Sequence, residues 1–271
     1  MKILAQTHRM PHDRVEHEYE AIKRSGHEYV SYGYKTGRHG ITLTGIDDIY
    51  PDELCYARCS TQLLTSNIMG YYPESFKQSI DYDENTFKVN SAPESECNIN
   101  ITPGCYRVLR LIECLDRQNI VDTFYKPNND RKLIDGVIVR AGSTLRESIN
   151  VDVSKFLQAE FIVSTNILNI REEVRCYVVN RKVITASLYR RNNKYDITLL
   201  SDNELSEYIE VAQMYVDNYY APSDNFTIDV CTTIDGLYRI VEYNALNSSG
   251  LYNCDTRLLF DALEIYMMEK Q

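Results

Sequence analysis

Three hard oxygen donors lie close together near the C-terminal end of the sequence. The chain reads Thr227-Ile-Asp-Val-Cys and then Gly236-Leu-Tyr-Arg-Ile-Val-Glu242-Tyr-Asn244, with the turn Thr233-Ile-Asp-Gly236 between the two β-rich runs. Asp-Gly between apolar runs is a hairpin signal. Glu242 and Asn244 are two apart, so on a strand their side chains leave the same face. A hairpin in register brings Asp229 to that face as well. Two carboxylates and an amide oxygen suit Mg²⁺, which takes a few protein oxygens and leaves the rest of its octahedron to water and phosphates. A surface hairpin with solvated acids is the weaker account, because Asp229 and Glu242 sit inside Ile/Val runs where an unpaired charge is costly.

Cations of a complementary kind lie upstream. Val121-Asp-Thr-Phe-Tyr-Lys126-Pro127 reads as a strand with a lysine at its end, and the polar turn Asn128-Asn-Asp-Arg-Lys132 carries a second before Val137-Ile-Val-Arg140 begins the next strand. Two ammonium groups on neighbouring strand and loop can grip a polyphosphate as point charges. A lone strand-end lysine would be an ordinary solvated residue; two of them ahead of a metal hairpin are not. Further on, Val174–Val179 and 183–189 read as strands joined by Asn180-Arg181-Lys182. Arg175 and Arg190 lie near opposite chain ends of this hairpin, so antiparallel pairing is expected to bring them together. Such a pair can stabilise charge developing on a transferred phosphoryl group, or else be two salt-bridged edge-strand arginines.

The elements that must position these residues follow from the pattern. Lys2-Ile-Leu-Ala is a strand, and Asp13 caps a helix with Val15, Tyr19 and Ile22 at helical spacing and Gly26 as its stop. Glu28-Tyr-Val-Ser-Tyr is the next strand, a βαβ start that implies parallel pairing. His8 and His12 fall on the first loop, where such folds collect ligands, although loop histidines are more often simply solvated. Residues 60–103 form an irregular excursion rich in Ser, Asn, Glu and Pro. A helix is expected over about 105–118, and Ser201-Asp-Asn-Glu204 is a capping box for a helix to about 219. Asp255 caps a terminal helix with Leu259, Leu263 and Tyr266 on one face, and Asn247-Ser-Ser-Gly250 follows the metal strand directly.

Taken in order, Phe124-Tyr-Lys126-Pro, the Lys132 loop, Phe161-Ile-Val-Ser-Thr-Asn166, Glu173-Val-Arg175-Cys-Tyr-Val-Val, Asp229-Val and Glu242-Tyr-Asn244 resemble the ATP-grasp superfamily. The resemblance is nearest to the small clade of phage and bacterial members regarded as amide ligases, with a hairpin similar to that of RimK-type ligases, and it covers roughly residues 103–255. It implies an α/β, ATP-grasp fold with a small N-terminal α/β (pre-ATP-grasp) lobe over 1–102, a lid over 103–168 and a core with the metal site over 169–271. It also implies ATP as cofactor, with one or two Mg²⁺ or Mn²⁺ ions held by Asp229, Glu242 and Asn244. Lys126 and Lys132 would contact the phosphates and Ser164, Thr165, Asn166 and Ile167 the adenine, with Glu173 also on the nucleotide. Arg175 and Arg190 would be catalytic. The loop after Lys132 departs from the pattern in lacking the glycine-rich run of many ATP-grasp lids. The implied reaction joins a carboxylate and an amine, small-molecule or peptide, through an acyl phosphate. A kinase-like phosphotransferase or a non-catalytic nucleotide-binding protein would use the same site.

Composition narrows the class. With 271 residues, 44% hydrophobic and 25% charged, the chain can bury an ample core. A net charge of −10 argues against general nucleic-acid affinity, leaving Arg181, Lys182, Arg190, Arg191 and Lys194 as the one basic cluster. No stretch approaches a transmembrane helix, and the N-terminus leads into a strand rather than a signal peptide. Eight scattered cysteines, several in apolar runs, read as reduced thiols. The expected setting is cytoplasmic, or host cytoplasm for a phage-encoded chain.

The two lysines generate the first prediction. Lys126→Ala or Lys132→Ala removes a charge-assisted contact of about 1.5–3 kcal/mol, so titration calorimetry with a non-hydrolysable ATP analogue is expected to show affinity lower by one to two decades. Wild-type affinity in both variants would remove the phosphate clamp.

Overall fold

The computed structural model describes residues 1–6, 12–37, 40–45, 54–58, 107–127, 134, 136–165, 167, 169–218, 224–244 and 246–269. The first sheet is built as the βαβ pattern predicts. Strand β1 (Lys2–Gln6), helix α1 (His12–Ser25) and β2 (Glu28–Gly37) are followed by β3 (Gly40–Thr44) and β4 (Cys55–Arg58), in the order β3-β2-β1-β4. Strand β1 is parallel to both β2 and β4. Helix α1 stops where Gly26 adopts φ +79°, a left-handed conformation that costs glycine little, and its N–H closes on the Lys23 carbonyl at 3.2 Å. His8 lies outside the described residues, and His12 opens α1 rather than sitting on the loop before it.

The second sheet holds β5 (Arg107–Arg110), β6 (Thr123–Pro127), β7 (Val137–Val139) and β8 (Glu160–Ser164), antiparallel in the order β5-β8-β6-β7, with two short helices, α2 (Leu111–Cys114) and α3 (Leu145–Ser148). The helix expected over 105–118 is here a strand followed by a single helical turn. The reason is tertiary: the free edge of β8 offers a ladder to Arg107–Arg110, and Leu111, Cys114 and Leu115 alone supply the turn's contribution to the core of this sheet.

The third sheet has β9 (Ile170–Val179), β10 (Lys182–Arg191), β11 (Lys194–Tyr195), β12 (Phe226–Thr233) and β13 (Tyr238–Asn244), antiparallel in the order β11-β10-β9-β12-β13. The β9–β10 turn is Asn180-Arg181, both with positive φ, the geometry that suits the twist of a two-residue hairpin. Helix α4 (Asp202–Asn218) begins at the expected capping box: the Glu204 carboxylate accepts from the Ser201 amide at 2.9 Å, and Ser201 Oγ accepts from the Glu204 amide at 3.4 Å. Helix α5 (Thr256–Glu269) ends the described chain. The basic cluster is divided, because Arg181 and Lys182 stand at one end of β10 and Arg190 and Arg191 at the other, about 25 Å away at strand rise.

Central strand β9 is buried on both faces, for two different purposes. Val174, Cys176 and Val178 face α4 and share a core with Ile228, Val230, Ile240, Tyr208 and Tyr215. On the opposite face, Tyr177 and Val179 pack with Ile3, Tyr56, Leu259 and Phe260, so the N-terminal sheet and α5 close one half of it. The other half carries Glu173 and Arg175. Asp255 anchors this arrangement by accepting from the Leu258 amide at 3.0 Å. Asp255→Ala is expected to cost about 1 kcal/mol of stability, read as a lower urea midpoint at unchanged slope.

Candidate active site

Register sets the site. Asp229 lies opposite Arg175 on one side and Glu242 on the other, so all three share the open half of the face. Thr227 pairs with Asn244, placing that amide on the same face. An irregularity between Asp229 and Val230 leaves Val241 as an extra residue and shifts the alternation by one. Ile240 therefore enters the core beneath α4 while Glu242 emerges into the site.

Asp229 is fully buried and accepts two hydrogen bonds from the Arg175 fork, Nε to Oδ1 at 2.8 Å and Nη2 to Oδ2 at 2.7 Å. The same Nη2 stands 3.9 Å from Glu242 Oε1. Glu242 Oε2 receives the ammonium of Lys126, which reaches across from β6, and Oε1 accepts from Asn244 Nδ2 at 2.9 Å. Tyr189 donates to Glu173 at 2.5 Å and lies 3.2 Å from Asp229 Oδ2. Its ring stacks on Tyr252, 5.3 Å between centroids. The Arg175 guanidinium lies 5.3 Å and 5.6 Å from these two ring centroids, within cation–π range.

Protonation follows from this crowding. Burial pushes Asp229 up to about 6, against the pull of Arg175 and with help from the Glu242 and Glu173 carboxylates. Burial alone would raise Glu242 too, but Lys126, the Asn244 amide and Arg175 outweigh it and hold the group at about 2. Burial works against the Arg175 charge as well, yet Asp229 raises it well above the ordinary arginine value. At neutral pH both acids are ionised, with cations on each. Two carboxylates and an amide oxygen on adjacent strands are a hard donor set that fits Mg²⁺ or Mn²⁺. Because Asn244 spends its NH₂ on Glu242, its carbonyl oxygen is the donor atom left for a cation.

Of the residues expected at the site, Lys126, Glu173, Arg175, Asp229, Glu242 and Asn244 are brought together. Ser164 ends β8 on the sheet that carries Lys126 and is buried; Thr165 is exposed and Ile167 half-buried just beyond it. Lys132 and Asn166 lie outside the described residues. The expected pairing of Arg175 with Arg190 is corrected. Arg175 lies opposite Ser187, and Arg190 lies opposite Glu173, to which it donates at 3.1 Å. The hairpin register puts Ser187 opposite Arg175, and the irregularity between Leu188 and Arg190, which inserts Tyr189, brings Arg190 into line with Glu173 rather than Glu172. Sequence reasoning missed Tyr189 and Tyr252, since a tyrosine in a strand or a loop carries no signal of its own.

The ATP-grasp domain of R2K clade family 3 matches residues 89–263, well over half of the chain, and the protein belongs to that family. Among curated proteins, none matches the chain in sequence. Solved structures with a similar fold include the D-alanine–D-alanine ligase of Bacillus anthracis (15% identity, TM-score 0.53, covering 99% of this chain and 98% of that one). D-cycloserine synthetase DcsG is similar at 10% identity and TM-score 0.55, covering 97% of this chain and 98% of its own. A RimK domain ATP-grasp protein from Sphaerobacter thermophilus is similar at 12% identity and TM-score 0.52, covering 97% and 100%.

Asp229 and Glu242 differ in what their loss would do. Charge-deleting changes that keep shape do not act alike at the two positions. Asp229→Asn leaves the buried Arg175 guanidinium without its counter-charge, a loss of about 3–5 kcal/mol in urea unfolding. Glu242→Gln, at a carboxylate that keeps 22% of its side chain exposed, is expected to lose much less.

Proposed function

We propose that the protein is an ATP-dependent carboxylate–amine ligase that uses Mg²⁺, with Mn²⁺ able to replace it, and acts on small-molecule or peptide substrates. One contact supports this most. Lys126 of the second sheet meets Glu242 of the third, so a phosphate-binding cation and a metal-binding carboxylate face each other across a single cleft. Membership of the ATP-grasp family supplies the class, and a D-alanine–D-alanine ligase on the same fold is in keeping with the reaction.

Asp229, Glu242 and Asn244 would hold the metal, which when bound would supply positive charge to the phosphate oxygens. Lys126 exchanges Glu242 for a phosphate oxygen, and Lys132 is assigned the same role from its loop. Ser164, Thr165, Asn166 and Ile167 border the adenine. Arg175, held by Asp229 and the two tyrosine rings, keeps a fixed positive charge beside the cleft. Arg190, tethered to Glu173, is the more distant cation. A substrate carboxylate oxygen attacks the γ-phosphorus and the bond to the ADP oxygen breaks. An amine then attacks the acyl carbon, phosphate leaves, and the nitrogen gives up a proton. Such chemistry asks for position and charge rather than a protein nucleophile. We assign it to the cytosol, since Cys114, Cys176, Cys231 and Cys254 are buried free thiols.

Incubation of amino acids and peptides with ATP and Mg²⁺, followed by mass spectrometry, tests the assignment. The expected product has the mass of a carboxylate plus an amine less water, with ADP formed only when both are present. A product that gains a phosphoryl group alone would make the protein a phosphotransferase. Glu242→Gln is expected to fold and to lower metal-dependent ADP formation at least ~10-fold, since even indirect partners of a metal are worth that much.

A further inference from the structure

Arg58 ends β4, in the parallel part of the N-terminal sheet, yet its guanidinium makes its contacts outside that sheet. The side chain is almost fully buried. Nε and Nη2 bind the Glu18 carboxylate of α1, Nη1 donates to the Leu246 carbonyl at 3.3 Å, and Nη2 donates to the Ser249 carbonyl at 2.5 Å. Burial works against the charge, and Glu18 more than restores it. Leu246 opens the 3-10 turn Leu246–Ser248, which begins two residues beyond Asn244, and Ser249 follows it directly.

That segment is braced from the core sheet too. Tyr177 donates to the Gly250 and Leu251 carbonyls at 2.6 and 2.9 Å. Thr227 Oγ1 lies 2.9 Å from Ser249 Oγ and 3.4 Å from the Asn244 carbonyl. Cohesion between the N-terminal sheet and the core is already supplied by apolar contacts of Ile3, Tyr56, Phe260 and Leu246. A planar fork shared among one carboxylate and two carbonyls does something else: it sets distance and angle.

We infer that Arg58 is a positioning residue for the metal site, fixing from the N-terminal lobe the segment that leaves β13 and thereby the placement of Asn244 and Glu242. The inference rests on the reading of Asp229, Glu242 and Asn244 as metal ligands. Direct hydrogen-bond partners of metal ligands typically govern about 10–100-fold of the metal's affinity. Arg58 acts one step further out, through the Leu246 and Ser249 carbonyls, so its effect is smaller. Arg58→Lys keeps the charge but not the fork, and Arg58→Gln keeps two N–H donors without the charge.

The test is Mn²⁺ affinity by electron paramagnetic resonance, in the presence of a non-hydrolysable ATP analogue, on the whole protein. Wild type is expected to bind Mn²⁺, and each Arg58 variant that keeps the wild-type circular dichroism spectrum is expected to bind it several-fold more weakly, short of the ~10–100-fold of a direct ligand partner. A role in cohesion alone would lower the unfolding temperature and leave the Mn²⁺ affinity of folded protein unchanged, which would overturn the inference. Failure of wild type to bind Mn²⁺ would instead overturn the metal reading itself. Hydrogen exchange on wild type covers variants that do not fold. Mn²⁺ with the analogue is expected to slow exchange in Cys55–Arg58 together with 246–251, and slowing confined to 246–251 would overturn the inference.

Discussion

Buried charge on one half of a sheet face is the constraint from which the rest of this structure follows. Glu173, Asp229 and Glu242 bring three carboxylates to one largely buried patch. Unpaired, such charges would be untenable in a folded chain. Arg175 answers Asp229 from the neighbouring strand, Arg190 answers Glu173 from the next, and Lys126 answers Glu242 from another sheet altogether. The partners differ in how they are held: Arg175 by a fork and two rings, and Lys126 by its ammonium contact with Glu242.

Local irregularities divide each strand between this charged patch and the cores. The extra residue at Val241 lets one strand deliver Ile240 to the core and Glu242 to the cleft. The insertion of Tyr189 in β10 does the same for Leu188 and the Glu173 cluster. Without these shifts, strict alternation would carry an apolar side chain into the site or a carboxylate into the core. The N-terminal sheet and α5 complete the division by covering the other half of the face with Tyr177 and Val179. What remains open is the charged half, and Lys126 spans it from above.

Much of this was legible in the chain itself. The Asp229–Glu242–Asn244 triplet was readable because an Asp-Gly turn constrains a hairpin and a period of two constrains its faces. The Lys126 strand, the capping box at Ser201, the Asp255 cap and the parallel start of the first sheet rest on equally short-range rules, and each stands in the structure. The expected helix over 105–118 does not, because the edge of β8 was a better partner for Arg107–Arg110 than their own helix. Arg190 does not meet Arg175, because the register of the hairpin, which no local pattern specifies, puts Ser187 opposite Arg175 and Glu173 opposite Arg190.

The amino-acid sequence by itself therefore determined the chemistry on offer: which oxygen donors, which cations, and the strands and turns that carry them, since propensity and periodicity act over a few residues. Only the tertiary structure decided who neutralises whom. That Arg175 belongs to Asp229, Lys126 to Glu242, and Arg58 to Glu18 and the Leu246–Ser249 turn depends on elements 54, 116 and up to 191 residues apart in the chain. Those pairings are settled by sheet order, by bulges and by the cost of leaving any one charge buried alone, none of which has a local signature.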